Sequence, residues 1–224
     1  MRYLLTSAGV TNDTVRAALD STLPRPVAQC SALVIPTAGH WFDASIAADL
    51  VTGAHGGPFA NLGWGSLGVL ELTALPTIPE EAWLPRLRST DVLLVGGGDP
   101  TYLAGWMRRS GFLDALSSLR DDVVYAGLSA GSQAVGASLG LSYNGRRLDP
   151  EGPEAPLGLV DLAIYPHLED PEMDDTRLAA IAAWARDVPC DTYAIDDETA
   201  VVWVDGVVEV VSEGRWERIR GTRR

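Results

Sequence analysis

Short apolar runs alternate with stretches whose hydrophobic residues recur at helical spacing, and this holds along most of the 224-residue chain. The pattern is that of an α/β protein with a mostly parallel central sheet covered by helices on both faces. The strand candidates are "RYLLTS", "ALVIPTA", "LGVLELTAL", "DVLLVGGGD", "VVYAGLS" and "DLAIYPH". Helical patterning falls between them at about residues 12–20, 43–51, 79–88, 101–109, 112–119, 130–139 and 174–186. Asp43, Pro79 and the Asp174, Asp175, Thr176 cluster are suitable helix starts. Beyond residue 190 the pattern changes to valine-rich runs joined at Asp205-Gly206, the signature of a tight antiparallel hairpin that should close one edge of the sheet. The Pro/Gly-rich stretch "NGRRLDPEGPEAPLG" reads as a long surface loop suited to substrate contacts.

Composition narrows the class. Hydrophobic residues make up 46% of the chain and the mean hydropathy is +0.07, enough for one domain spanning residues 1–224. The net charge of −13 repels nucleic acid and anionic membranes on average, so neither is expected as a partner, whereas a small substrate is. Cys30 and Cys190 stand 160 residues apart, in no CxxC and with no nearby histidine pairing, and read as reduced thiols, not as a metal site. No targeting segment precedes the first apolar run, and no apolar stretch approaches the roughly 20 residues of a membrane span. A cytoplasmic protein, monomeric or homodimeric, is the expectation.

Within "YAGLSAGSQAVG" the run "GLSAG" matches G-x-S-x-G between a strand-like and a helix-like run. A sharp strand-to-helix turn there projects Ser129 from the carboxyl edge of the sheet as a nucleophile. Its base must be one of three histidines, His40, His55 and His167. His167 follows a strand at the edge where ligand sites of open α/β sheets lie; His40 follows another strand and is a candidate pocket residue. His55, in "AHGGPFANLGWG", resembles the H-G-G loop of esterases but lies far upstream of the elbow, and reads as part of a glycine-rich loop near the pocket. A carboxylate should orient the histidine. Glu198 in "YAIDDETAVV" reaches the same edge, with Asp196 and Asp197 as alternatives; Glu169 and Asp170 suit the cap of the helix that follows His167 better. In "LLVGGGDPTYL" no phosphate-binding pattern is completed, and the backbone amides of Gly97 and Gly98, with that of Ala130, suit an oxyanion hole instead.

The ordered set "VGGGDPTYL", "GLSAGS", "YPH" and "AIDDETAVV" resembles the peptidase E and cyanophycinase family of serine peptidases, over nearly the whole chain. The resemblance implies a class I glutamine amidotransferase-like fold, a Ser129, His167, Glu198 triad, no cofactor or metal, and hydrolysis of dipeptides with an amino-terminal Asp. The family's glycine loop commonly continues with Asn where this chain has Asp99, a change that bears on specificity: a carboxylate there would bind a substrate ammonium or repel an aspartyl side chain. An acidic side chain on the substrate calls for an arginine, and Arg146 and Arg147 are the candidates. The expectation is a serine exopeptidase. Its rivals are an esterase or cyanophycinase-like amidase on the same residues, and a non-catalytic amidotransferase-like binding protein.

Overall fold

The computed structural model describes residues 1–54, 59–143 and 145–222. In chain order its principal elements are β1 (Arg2–Thr6), α1 (Asp13–Thr22), β2 (Ser31–Ile35), α2 (Ala44–Thr52), β3 (Ser66–Val69), α3 (Glu80–Ser89), β4 (Val92–Val95), α4 (Pro100–Arg109), α5 (Phe112–Leu116), β5 (Val124–Leu128) and α6 (Ala130–Ala134). They continue with β6 (Ser142–Tyr143), β7 (Arg146–Arg147), β8 (Ala163–Tyr165), α7 (Leu178–Trp184), β9 (Thr192–Ile195), β10 (Thr199–Val204), β11 (Val207–Ser212) and β12 (Trp216–Ile219).

Seven strands form one sheet in the order β11-β10-β1-β5-β4-β2-β3. From β1 to β3 every pairing is parallel, while β10 joins β1 antiparallel and β11 joins β10 antiparallel. The Asp205-Gly206 turn is the expected tight hairpin: both residues have positive φ, 50° and 83°, as the two-residue turn between twisted strands requires. Alternate strand residues feed two cores, because successive side chains point to opposite faces. Leu5, Leu33, Leu93 and Tyr125 pack on one face; Leu4, Ala32, Val34, Leu94 and Ala126 pack on the other.

Three elements depart from the expected pattern. The run "DLAIYPH" does not join the large sheet; both edges of β1 are occupied, by β5 and β10, so β8 pairs with β9 in a separate three-stranded sheet completed by β12. The helix expected over 130–139 ends at Ala134. The carbonyls that would continue it are taken by the returning chain: Ala134 accepts from Leu157, Val135 from Leu159 and Val160, and Gly136 from Gly158. In the third, the strand over 67–75 stops at Val69, since the Glu71 carboxylate folds the next residues over, accepting from Thr37 Oγ1 and from the backbone and hydroxyl of Thr73.

At the amino edge of the sheet Asp91, which precedes β4, is almost fully buried and ties three segments together. It accepts from the Ser31 backbone amide and pairs with Arg25 and Arg120. Burial alone would raise its carboxyl, but the Ser31 hydrogen bond and the two arginines together hold it below the usual carboxylate range. Asp91→Ala is expected to destabilise the fold by about 1–3 kcal/mol, the cost of leaving a buried donor unsatisfied. Equilibrium denaturation should show this while the specific activity of the folded fraction stays unchanged, because Asp91 lies at the edge opposite Ser129.

Candidate active site

The carboxyl ends of β1, β4 and β5 converge on Ser129. The chain leaves β5 and enters α6 through this residue, which has φ 48° and ψ −108°, a conformation rare for a residue with a side chain. Two glycines make the turn possible. A Cβ on Gly127 would lie 2.7 Å from the Ser132 nitrogen, and one on Gly131 would lie 2.3 Å from the Val95 carbonyl oxygen. Hydrogen bonds lock the bend: Ser129 N and Ser132 Oγ both donate to the Thr6 carbonyl, at 3.0 and 2.8 Å, and the buried Tyr125 hydroxyl donates to the Gly131 carbonyl.

His167 follows β8 and also sits at positive φ, 59°. Its Nε2 is 3.0 Å from Ser129 Oγ and its Nδ1 is 2.8 Å from Asp197 Oδ1. A carboxylate can only accept, so Nδ1 carries the proton and Nε2 accepts from the serine hydroxyl. The arrangement is therefore poised to take the proton from Ser129 Oγ as that oxygen attacks an electrophile.

The carboxylate at His167 is Asp197, one residue before the expected Glu198. The β9–β10 turn explains the difference. Asp196 is spent inside the turn, where its Oδ1 accepts from Glu198 N and Thr199 Oγ1 and its Oδ2 from the Arg215 backbone. The Glu198 carbonyl is held from the other side by Asn12 Nδ2 and the Glu213 amide, and its side chain is exposed. Asp197 is left at the crest facing the imidazole.

Ser7, at the end of β1 and fully buried, was not foreseen. Its hydroxyl donates to Asp197 Oδ1 at 2.5 Å and accepts from the His167 backbone amide at 2.8 Å, so one side chain fixes both the acid and the base. The only signal in the sequence is a small polar residue at the carboxyl end of the first strand.

The glycine loop after β4 lies against the nucleophile. A Cβ on Gly97 would come within 3.5 Å of the Ser129 Cβ. The amides of Gly96 and Asp99 are tied to the carbonyls of Ile35 and Ala38, and Gly97 and Gly98 between them border the same cavity as Ser129. Ala130, the next residue after Ser129, is fully buried. That cavity, of about 360 Å³, has walls from Phe42, Ile46, Leu128 and Met173, with Gln133, Tyr143, Tyr165 and Asp175 supplying polar atoms.

The expected substrate contacts fare differently. Asp99 is buried and caps α4: its Oδ1 accepts from Thr101 N, Thr101 Oγ1 and Tyr102 N, and its Oδ2 from Arg146. It is 1% exposed and is not among the residues that border the cavity beside Ser129. Arg146 is held by Asp99, Thr101 and the face of Trp41. Arg147 is exposed, and neither arginine borders the cavity. His40 faces Glu71, 3.3 Å from Nε2 to Oε2, and is likewise outside the cavity lining. His55 lies outside the described residues. Glu169 does cap the following helix, accepting from Leu178 N. The Asp174, Asp175, Thr176 cluster forms a separate 3-10 turn instead of starting that helix. His167, Asp170 and Asp197 offer atoms within 4.8 Å of one another that could ligate a metal. An ion there would displace the hydrogen bond between His167 and Asp197.

Comparison with known proteins identifies the family. The model of Peptidase family S51 matches residues 3–211. A curated protein named Peptidase E from Streptomyces coelicolor is 29% identical over 141 residues, covering 62% of this chain and 53% of that protein, so the match spans about half of the relative's length. Among solved structures, a candidate peptidase E of Listeria monocytogenes EGD-e has a TM-score of 0.68 at 18% identity, covering 95% of this chain and 98% of its own. A peptidase from an acI-B1 Actinobacterium has a TM-score of 0.66 at 16% identity, covering 99% and 95%. The chain belongs to peptidase family S51 and shares the α/β fold of these structures. No helix among the described residues is long and apolar enough to cross a membrane.

The hydrogen bond from His167 holds the Asp197 carboxyl below its ordinary value of 3.8 against the opposing effect of burial, and the Ser7 hydroxyl adds to it. A carboxyl lowered in the folded state binds protons more weakly there than in the unfolded chain. Its stabilisation is complete above pH 3.8 and is lost as pH falls through the folded value. Thermal unfolding followed from pH 6 downward should therefore show the wild type losing more stability below about pH 3.8 than Asp197→Asn does.

Proposed function

We propose that Ser129, His167 and Asp197 are the catalytic triad of an exopeptidase acting on dipeptides and other short peptides. The observation that carries this is the unbroken relay from Ser129 Oγ to His167 Nε2 at 3.0 Å and from His167 Nδ1 to Asp197 Oδ1 at 2.8 Å. Ser129 Oγ attacks the scissile carbonyl while His167 takes its proton, and Asp197 stabilises the imidazolium. The amides of Gly97, Gly98 and Ala130 receive the negative oxygen. His167 then protonates the leaving amine, and water repeats the sequence on the acyl-enzyme. A cavity of about 360 Å³ has room for one or two residues, which favours short substrates.

An amino-terminal aspartate, the preference implied by the family resemblance, needs a cation beside the acyl-side side chain. Among the described cavity-lining residues there is no arginine or lysine, and Arg146 is already paired with Asp99. The site gives that preference no support.

Purified protein should hydrolyse members of a panel of Asp-Leu, Ala-Leu, Glu-Leu and Lys-Leu, with turnover abolished by Ser129→Ala. Asp197→Asn should lower kcat by about 10³- to 10⁴-fold, as expected where the residue that orients the base is neutralised. Glu198→Gln should change it by less than about threefold, in keeping with an exposed surface substitution. Equal losses in the Asp197 and Glu198 variants would overturn the assignment of the acid, and absence of turnover by the wild type on every peptide would overturn the exopeptidase reading.

A further inference from the structure

Among the described residues that line the cavity beside Ser129, one carboxylate stands outside the triad. Asp175 lies in the 3-10 turn after His167 and borders the cavity. The turn is anchored by Tyr165, whose hydroxyl donates to the Asp175 carbonyl at 3.2 Å and lies 3.5 Å from its Oδ2. Glu169, Asp170, Glu172, Asp174 and Asp175 place five acids within seven positions on this segment. The nearest arginine in sequence, Arg177, is paired with Glu169.

A second polar group in the cavity independently points to a ligand. Gln133, one turn beyond Ser129, is only 1% exposed, and its Nε2 has no hydrogen-bond partner among the described residues. Its Oε1 accepts from the Tyr143 hydroxyl at 3.1 Å. Burial pushes that phenol up to about 12, so it stays protonated as the donor and fixes which way the amide faces. A buried N–H pair without an acceptor is unfavourable, and a substrate oxygen in the cavity would relieve it. Gln133 carries no charge, so it suits a carbonyl and does not offset the field of Asp175.

We propose that this cavity selects a cationic group on the residue that supplies the scissile carbonyl, with Asp175 as the group that binds it and Gln133 as donor to a neutral oxygen of the same residue. The cation is either the α-ammonium of a free amino terminus or the side chain of lysine or arginine. A carboxylate in that position is disfavoured by the acidic segment. The inference rests on the reading of Ser129 as the nucleophile, which places the scissile carbonyl at this cavity.

The test is binding to Ser129→Ala protein, measured by calorimetry so that it does not depend on turnover. Lys-Leu, Ala-Leu, Asp-Leu and the N-acetylated forms of the first two are titrated into this protein and into the same protein carrying Asp175→Asn or Asp175→Glu. Lys-Leu should bind about tenfold more tightly than Asp-Leu at low salt, and the difference should shrink as salt is raised. Asp175→Asn should remove most of the difference and Asp175→Glu should retain it, which separates loss of charge from loss of folding. Retained binding of N-acetyl-Lys-Leu assigns the cation to the side chain; loss of both acetylated peptides assigns it to the α-ammonium. Asp-Leu binding as tightly as Lys-Leu, an equal effect of Asp175→Asn on every peptide, or no binding of any cationic peptide at millimolar concentration would overturn the proposal. Turnover of Ala-Leu by the wild-type protein separately reports on the peptidase reading, so the two can fail independently.

Discussion

The close approach of the Gly131 backbone to the end of β4 is the constraint from which the site follows. Because no side chain intervenes at Gly127 or Gly131, α6 starts directly against the sheet, and Ser129 is forced into a backbone conformation that its own side chain opposes. The strain is borne by the burial around it: Ala126 and Ala130 are fully inside, and Thr6 anchors both Ser129 and Ser132. His167 is held in a second unfavourable conformation by Ser7 and by the β8–β9 pairing. Ser129 and His167 thus both stand on rigid backbone, and on the proposed reading little conformational freedom remains to be lost when a substrate arrives.

Charge is distributed to match. At the amino edge of the sheet, Asp91 has two arginines and a backbone amide and serves the fold. At the carboxyl edge, Asp197 has an imidazole and a hydroxyl and, on the proposed reading, serves the chemistry. Asp99 follows β4 at the same carboxyl edge but belongs with the first in function, because its oxygens are engaged by the start of α4 and by Arg146. Position on the sheet edge does not by itself assign a carboxylate to catalysis; the donors that reach its oxygens do.

The parallel strands, the hairpin, the sharp turn at Ser129 and the placing of His167 at the same sheet edge were legible in the sequence because each is dictated locally, by apolar period, by Asp-Gly, or by a turn after a strand. The acid was not. Asp196, Asp197 and Glu198 are chemically similar neighbours, and the choice among them depends on hydrogen bonds to Arg215, Asn12 and Glu213, residues far away along the chain. Ser7, Gln133 and Asp175 were hidden for the same reason: alone, each is an ordinary polar residue, and only the tertiary structure brings Ser7 to His167 and Asp197, and Gln133 and Asp175 to the cavity beside Ser129. The separate small sheet was illegible because strand runs reveal their own existence, not which edges remain open to them.

The bridge from Ser7 to Asp197 sets the order in which the site is completed. The nucleophile elbow needs only β1, β4 and β5, all of which lie before residue 136, but the acid reaches the histidine on the turn that enters β10, and β10 docks against the first strand of the chain. While the polypeptide is being synthesised, the reactive serine can be in place with its relay still broken. On the proposed reading, the relay is completed only when β10 docks against β1, so a nascent chain that has not yet reached Asp197 lacks the group that orients its histidine.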